Sequence, residues 1–268
     1  MIESCNNKEK TDVLKNKVCN SGKRVIVCGS DNNKSFDVLR LIADRTKVLC
    51  YLVDEQQSDI VTTFCKQYGI PICNCIQEAD YQQVDLLISF SYKRLLDINL
   101  IRKAKVAINF HPAPLPFYRG RATTVQALVK GEKKWGVTCH YLADRFDTGK
   151  IIERRWFDIT DDLQNGQKLS EYSWGVCLKM VEDMLDRLLS GDIPEGYQQE
   201  DGGNYYSMKQ LAELKRISLE EDVDVIDRKI NAIWFPPYEG AYIELSGKKF
   251  YLINEKIMNE INQLYNQK

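Results

Sequence analysis

Asn109, His111, His140 and Asp147 are the residues of this chain whose types and spacing could do chemistry, and the chain has no other histidine. Asn109 and His111 lie two apart at the end of the apolar run KVAINF. If that run is a strand that persists to His111, alternation points both side chains to one face. An amide donor beside an imidazole suits acyl transfer: the amide can hold a developing oxyanion, and the imidazole can move an amine's proton. Asp147 lies in the loop ADRFDTG. Such a loop welcomes a turn aspartate for its own reasons. Brought near His111, its carboxylate would raise the imidazole above its reference of about 6.5 and fix its tautomer. His140 alternates with Thr138 and Leu142 on an expected strand, which suits a structural or supporting role.

Other constellations are missing. The first loop, GSDNNKS, lacks the glycines of a dinucleotide fingerprint, and neither a Walker loop nor a GxSxG elbow occurs. Nine cysteines form no CxxC pair, and two histidines are too few for a zinc set, so no metal site is expected. Tyr118, Arg119 and Arg121 stand in the loop FYRGRA, with Tyr118 and Arg119 as candidate substrate contacts. Its arginines could bind an anion or simply be solvated.

The elements that must position these residues follow from hydrophobic period. Strands are expected at 24–29, 47–53, 70–75, 85–90 and 105–110, with helices at 35–45, 57–68 and 97–103 between them. This alternation argues for a Rossmann-like, doubly wound α/β domain with a mainly parallel sheet. His111 then follows the end of a sheet strand, where ligands gather in such folds. Three prolines and a glycine within 111–122 argue against regular structure there. A helix over 123–130, strands at 135–142 and 150–158 and a long helix over 167–190 follow. After 195 the chain reads as a loop. A helix over about 219–234 comes next, with Ser218 and Glu221 as its capping signal. A hairpin around Ser246-Gly247 and a helical or frayed tail over 255–266 end the chain. Three segments result: a polar N-terminal extension (1–22), a catalytic domain (23–195) and a small C-terminal subdomain (196–268).

Lys and Arg total 37 against 38 Asp and Glu, a net charge of -1 that asks for neither a nucleic-acid nor a membrane partner. No apolar run approaches the ~18 residues of a membrane span. Cysteines buried in apolar runs suit a reducing compartment, so a cytoplasmic protein is expected.

Residues from about 86 to 152 resemble the folate-dependent formyltransferases. The motifs are Asn109-x-His111, the loop Leu115 to Gly120, Gly136 to His140, and Asp147 to Ile151. The resemblance implies that Asn109 stabilises an oxyanion, His111 handles protons and Asp147 raises the pKa of His111. It also implies N10-formyltetrahydrofolate as formyl donor, bound between Arg94, Leu95 and Leu96 on one loop and Ala143, Asp144, Arg145, Phe146 and Asp147 on another. Arg121 would contact the donor side.

The acceptor follows less directly. Residues 191–268 hold 9 Lys and Arg against 14 Asp and Glu, and that net of -5 would repel an RNA backbone. The stretch IWFPPYEGAYIELSGKKFYL is similar to sugar N-formyltransferases, which act on nucleotide-linked amino sugars. The resemblance points to dTDP-4-amino-4,6-dideoxyglucose or its 3-amino isomer, and to a homodimer. Trp234, Phe235 and Tyr238 offer flat faces for a base, as do Tyr205 and Tyr206; the alternative is that they form the small subdomain's core. Other formyl acceptors, such as UDP-4-amino-arabinose or methionyl-tRNA, stay open. So do 10-formyltetrahydrofolate hydrolysis and a non-catalytic nucleotide-sugar or folate binding protein.

Overall fold

A computed structural model describes residues 21–54, 59–74 and 83–266. All but the end of the expected N-terminal extension lies outside them, as do the start of the helix expected at 57 and the last residue of the strand expected at 70–75.

The first half alternates as its periodicity requires. Strands β1 (Arg24–Gly29), β2 (Lys47–Val53), β3 (Ile72–Cys73), β4 (Val84–Phe90) and β5 (Ala104–His111) are separated by helices α1 (Asn33–Ala43), α2 (Ile60–Tyr68) and α3 (Ile98–Lys103). Next come β6 (Tyr118–Gly120), α4 (Thr123–Lys130), β7 (Lys134–Tyr141), β8 (Ile151–Asp158), a short 3-10 turn and α5 (Gly166–Ser190). The chain ends with β9 (Asn204–Tyr206), α6 (Met208–Lys215), α7 (Val223–Ile233), β10 (Tyr242–Leu245), β11 (Lys248–Tyr251) and α8 (Glu255–Asn266).

Seven strands form one mainly parallel sheet in the order β3-β2-β1-β4-β5-β7-β8. β1 pairs in parallel with both β2 and β4, and β4 with β5. The strand order therefore reverses between β1 and β4. In an open α/β sheet that reversal opens a crevice at the carboxyl ends of the two strands. β10 and β11 form the expected small hairpin.

The chain divides into two compact units. One comprises residues 1–111, 139–152 and 178–197, the other 112–138, 153–177 and 198–268. The sequence suggests a single cut near 195; the units are instead assembled from interleaved stretches. The first has a core of Ile26, Cys28, Cys50, Leu87, Leu100 and neighbours. Burial pushes the Cys28 thiol well up, which suits its use as a small hydrophobe. The second unit packs Tyr118, Trp135, Leu169, Tyr206, Ile233 and Ile257 together.

The structure departs from the sequence reading in three respects. The proline-rich stretch contains β6, and the loop expected after 195 contains β9; the two pair in parallel, Tyr118 opposite Asn204 and Gly120 opposite Tyr206. A three-residue strand has too few positions for a period to be visible. Helix α6 also lies in that expected loop, closed by a capping box in which Ser207 and Gln210 bond reciprocally. Third, the helix expected from Ser218 starts at Val223, capped by Asp222, whose side chain accepts from the N–H groups of Asp224 and Val225. Ser218 and Glu221 instead close a turn: the Ser218 N–H donates to Glu221 Oε1 at 2.8 Å.

Helix α2 gains its cap from a distant loop. Asp59 at its N-cap position makes no capping bond. The fully buried Asp31, in the loop after β1, accepts from Val61 N–H at 3.0 Å and from the Thr62 hydroxyl at 3.2 Å. Replacing Asp31 by Ala should therefore cost about 1–3 kcal/mol of stability. Asp31→Asn, which keeps an acceptor, should cost less; urea denaturation of the two variants measures the difference.

Candidate active site

Strand β5 runs through His111, so the alternation expected from the sequence holds, and Asn109 and His111 share one face. β7 lies beside β5. The Leu142 N–H donates to the Ala107 carbonyl at 2.9 Å, while Asn109 meets His140 at 3.0 Å. These pairs run opposite ways along the two strands, so β7 is antiparallel to β5 and His140 faces Asn109 directly.

Hydrogen-bond capacity fixes the protons. His140 Nδ1 lies 2.8 Å from the Tyr141 carbonyl oxygen, which can only accept. Nδ1 therefore carries the hydrogen. In the neutral ring Nε2 is then an acceptor, and Asn109 Nδ2 donates to it. An amide nitrogen has two hydrogens, so one N–H of Asn109 remains beyond that bond, its direction set by the first. His140 is 1% exposed, so water competes poorly for these bonds.

Asp147 stands between the two imidazoles. Its Oδ1 lies 3.7 Å from His111 Nδ1 and 3.6 Å from His140 Nε2. The Asp147 backbone is left-handed, with φ of 56°. Aspartate tolerates that conformation at a cost of about 1 kcal/mol. The turn that carries it is closed by the Tyr141 N–H donating to Lys150 O at 2.9 Å, and Thr148 Oγ1 donates to Arg145 O within it. A Cβ on Gly149 would sit 1.7 Å from the Tyr141 carbonyl oxygen. Only glycine lets this turn pass so close. The carbonyl that orients His140 is thus the same one the turn packs against. An amide donor, two imidazoles and a carboxylate within a few ångströms can polarise an acyl oxygen and relay one proton.

The other expected site residues divide by surroundings. Arg94 and Leu95 are exposed on the loop after β4, whereas Leu96 packs into the core of its unit. Asp144, Arg145 and Phe146 are exposed on the turn before Asp147, and Ala143 is partly buried. In the second unit, Tyr118 and Tyr206 are buried and stack on each other with centroids 5.4 Å apart. The Tyr118 hydroxyl donates to Glu132 Oε1 at 2.7 Å, and Lys130 Nζ donates to the Tyr206 hydroxyl at 2.5 Å. Both rings fill core. Arg119 spends two of its donors on Gln199 Oε1, whereas Arg121 is exposed. Trp234 is partly packed against the core, Phe235 is half-buried, and Tyr205 and Tyr238 are exposed. Among the described residues, no group of three or more His, Cys, Asp or Glu side chains could hold a metal ion.

Sequence reasoning gave His140 a supporting role without showing what it touches, and it missed the Tyr141 carbonyl, which as a backbone group leaves no trace in residue type. Gly149→Ala tests this part of the site. Its methyl must displace the Tyr141 carbonyl or the turn, so a loss of about 1–3 kcal/mol in stability is expected, with the His140 ring resonances shifted in an NMR spectrum.

Comparison with known proteins bears on the family and the fold. The family model for formyl transferase matches residues 18–171, more than half of the 268-residue chain. GDP-perosamine N-formyltransferase of Brucella melitensis is 28% identical over 169 residues, 63% of this chain and 64% of that protein. The chain thus matches just under two thirds of that relative's length. A 4-N formyltransferase from Francisella tularensis has the same fold, with a TM-score of 0.72, 21% identity, and coverage of 87% of this chain and 97% of that one. So does an N-formyltransferase from Helicobacter canadensis in complex with folinic acid and dTDP-3-aminofucose, with a TM-score of 0.69, 20% identity, and coverage of 85% and 86%. With the family model matched over residues 18–171, across both strands that carry Asn109, His111 and His140, this chain belongs to the formyl transferase family.

Proposed function

We propose that this protein transfers a formyl group from N10-formyltetrahydrofolate to the amine of a nucleotide-linked amino sugar. The observation that carries the reading is the contact of Asn109 with His140, with Asp147 set between His140 and His111. Formyl-folate supplies an electrophilic one-carbon acyl group. The remaining Asn109 N–H is oriented to hold the oxyanion that develops when an amine attacks. His111 takes the amine's proton and returns it toward the leaving nitrogen. Asp147, 3.7 Å from His111 Nδ1, stabilises the imidazolium formed between those steps.

The first unit offers groups that suit a reduced folate. Leu95 and Phe146 expose 52% and 37% of their surfaces, which suits a flat heterocycle, and the exposed Arg94 suits an anionic tail. Arg121, in the second unit, is a further exposed cation, and the family resemblance gives it the donor as a contact. For the acceptor, Tyr205, Trp234, Phe235 and Tyr238 are aromatic faces that remain at least partly accessible in the second unit, with Phe235 and Tyr238 5.8 Å apart. Stacking of a nucleotide base there would add about 0.5–1.5 kcal/mol per ring beyond area burial. We take the acceptor to be dTDP-4-amino-4,6-dideoxyglucose or its 3-amino isomer. The Helicobacter structure with a dTDP-amino sugar supports the dTDP class, and the Brucella relative keeps a GDP-linked sugar within range. The working unit is proposed to be a cytoplasmic homodimer.

A coupled assay of tetrahydrofolate release, run over dTDP-, UDP- and GDP-linked 3- and 4-amino sugars, tests the reading. Release should depend on one sugar, which gains a formyl mass. Asn109→Ala, His111→Ala and Asp147→Asn should each lower kcat by at least about 100-fold. Release without any sugar would replace the transferase reading by hydrolysis. Ligand binding without release would favour a binding protein.

A further inference from the structure

The loop over residues 91–97 leaves the carboxyl end of β4 on one side of the strand-order reversal, and β1 ends on the other. Its crest, Arg94 and Leu95, is exposed. Its ends are fixed. At the far end Leu96 is buried and Asp97 caps α3, accepting from the Asn99 N–H at 2.8 Å. At the near end the holding groups come from β2 and from the residues that follow β1 and β2. The Ser30 hydroxyl donates to the Ser91 carbonyl at 2.8 Å, and the Tyr51 hydroxyl donates to the Ser30 carbonyl at 2.8 Å. Asp54, just past β2, accepts the Lys93 N–H on Oδ2. Ser91 itself is held at a left-handed φ of 58°.

These anchors are costly to keep. Ser30 and Tyr51 are fully buried and Asp54 is 4% exposed. A buried carboxylate loses its hydration and needs hydrogen-bond donors in return. Among the described residues, Asp54 Oδ1 has no hydrogen-bond partner. An apolar residue would serve a mere core position better. Room for the Tyr51 hydroxyl also depends on Gly29, where a Cβ would lie 2.3 Å from that oxygen.

We propose that Asp54, with Ser30 and Tyr51, is a positioning network. It holds the backbone at Ser91 and Lys93 so that the crest at Arg94 and Leu95 is preset to bind the formyl donor. The proposal rests on the donor reading given above for this loop. None of the three side chains touches substrate; they act through loop shape, so their loss should fall on donor affinity rather than on kcat.

The test combines binding with amide hydrogen exchange. The probe is 5-formyltetrahydrofolate, a non-transferring formyl folate, titrated calorimetrically into the full chain. Asp54→Ala should weaken binding at least about 10-fold and speed exchange at residues 91–97, with exchange in the strands unchanged. Asp54→Asn keeps an acceptor for the Lys93 N–H and should stay within about 3-fold. Tyr51→Phe, a milder variant should Asp54→Ala not fold, should also speed exchange in the loop. Steady-state kinetics should show the donor's KM raised with kcat and the sugar's KM little changed. Unchanged loop exchange in folded variants, or Asp54→Asn behaving like Asp54→Ala, would overturn the network. If the unmodified protein fails to bind the probe, the donor reading and the affinity claim fall together. Loop exchange would still uphold or overturn the anchoring by itself.

Discussion

The bond from His140 Nδ1–H to the neighbouring Tyr141 carbonyl, 2.8 Å long and buried, is the constraint on which the site depends. A carbonyl has no proton to give, so the neutral ring presents a bare Nε2 to Asn109. Asn109 must then turn its NH2 group, not its oxygen, toward His140. Every later choice of donor and acceptor descends from that one. An exposed imidazole could exchange tautomers through water at little cost; this one cannot without leaving a buried acceptor unmatched. Orientation fixed before substrate arrives is what makes a single amide useful to a developing oxyanion.

The fold serves this arrangement by bringing sequence-distant backbone together. β5 delivers Asn109 and His111 on one face, and its antiparallel neighbour β7 sets His140 opposite. The turn to β8 then carries Asp147 back toward both imidazoles. Gly149 removes the one atom that would prevent that turn from packing on the Tyr141 carbonyl. The stretches 1–111 and 139–152 that supply these groups belong to one compact unit with its own core. The exposed aromatics Tyr205 and Tyr238 belong to the other.

Much of this was legible from residue order. β-branched runs ending in Gly29, Val53 and Phe90 read as buried strands because parallel strands are covered on both faces. The two-residue spacing of Asn109 and His111 placed them on one face once the strand was seen to persist. What escaped depends on partners far along the chain. β6 and β9 are three residues each and exist only because residues some 86 positions apart pair. The stacked Tyr118 and Tyr206, which looked like ligand platforms, are buried by that same pairing. Helix α6 did have a readable signal in Ser207 and Gln210, but a glycine- and tyrosine-rich approach masked it. Asp31 and Asp54 resembled ordinary loop acids, since nothing local announces that one caps α2 and the other holds Lys93.

The most direct test of the central claim is the protonation pattern of His140, read from a long-range nitrogen–proton NMR spectrum of histidine-labelled protein. The account predicts the Nδ1–H tautomer with a bare Nε2. It predicts the same tautomer in Asn109→Ala, because the Tyr141 carbonyl sets it. An Nε2–H tautomer in the unmodified protein would contradict the account: Asn109 would then face His140 with its oxygen, and no oriented N–H would stand ready for an oxyanion.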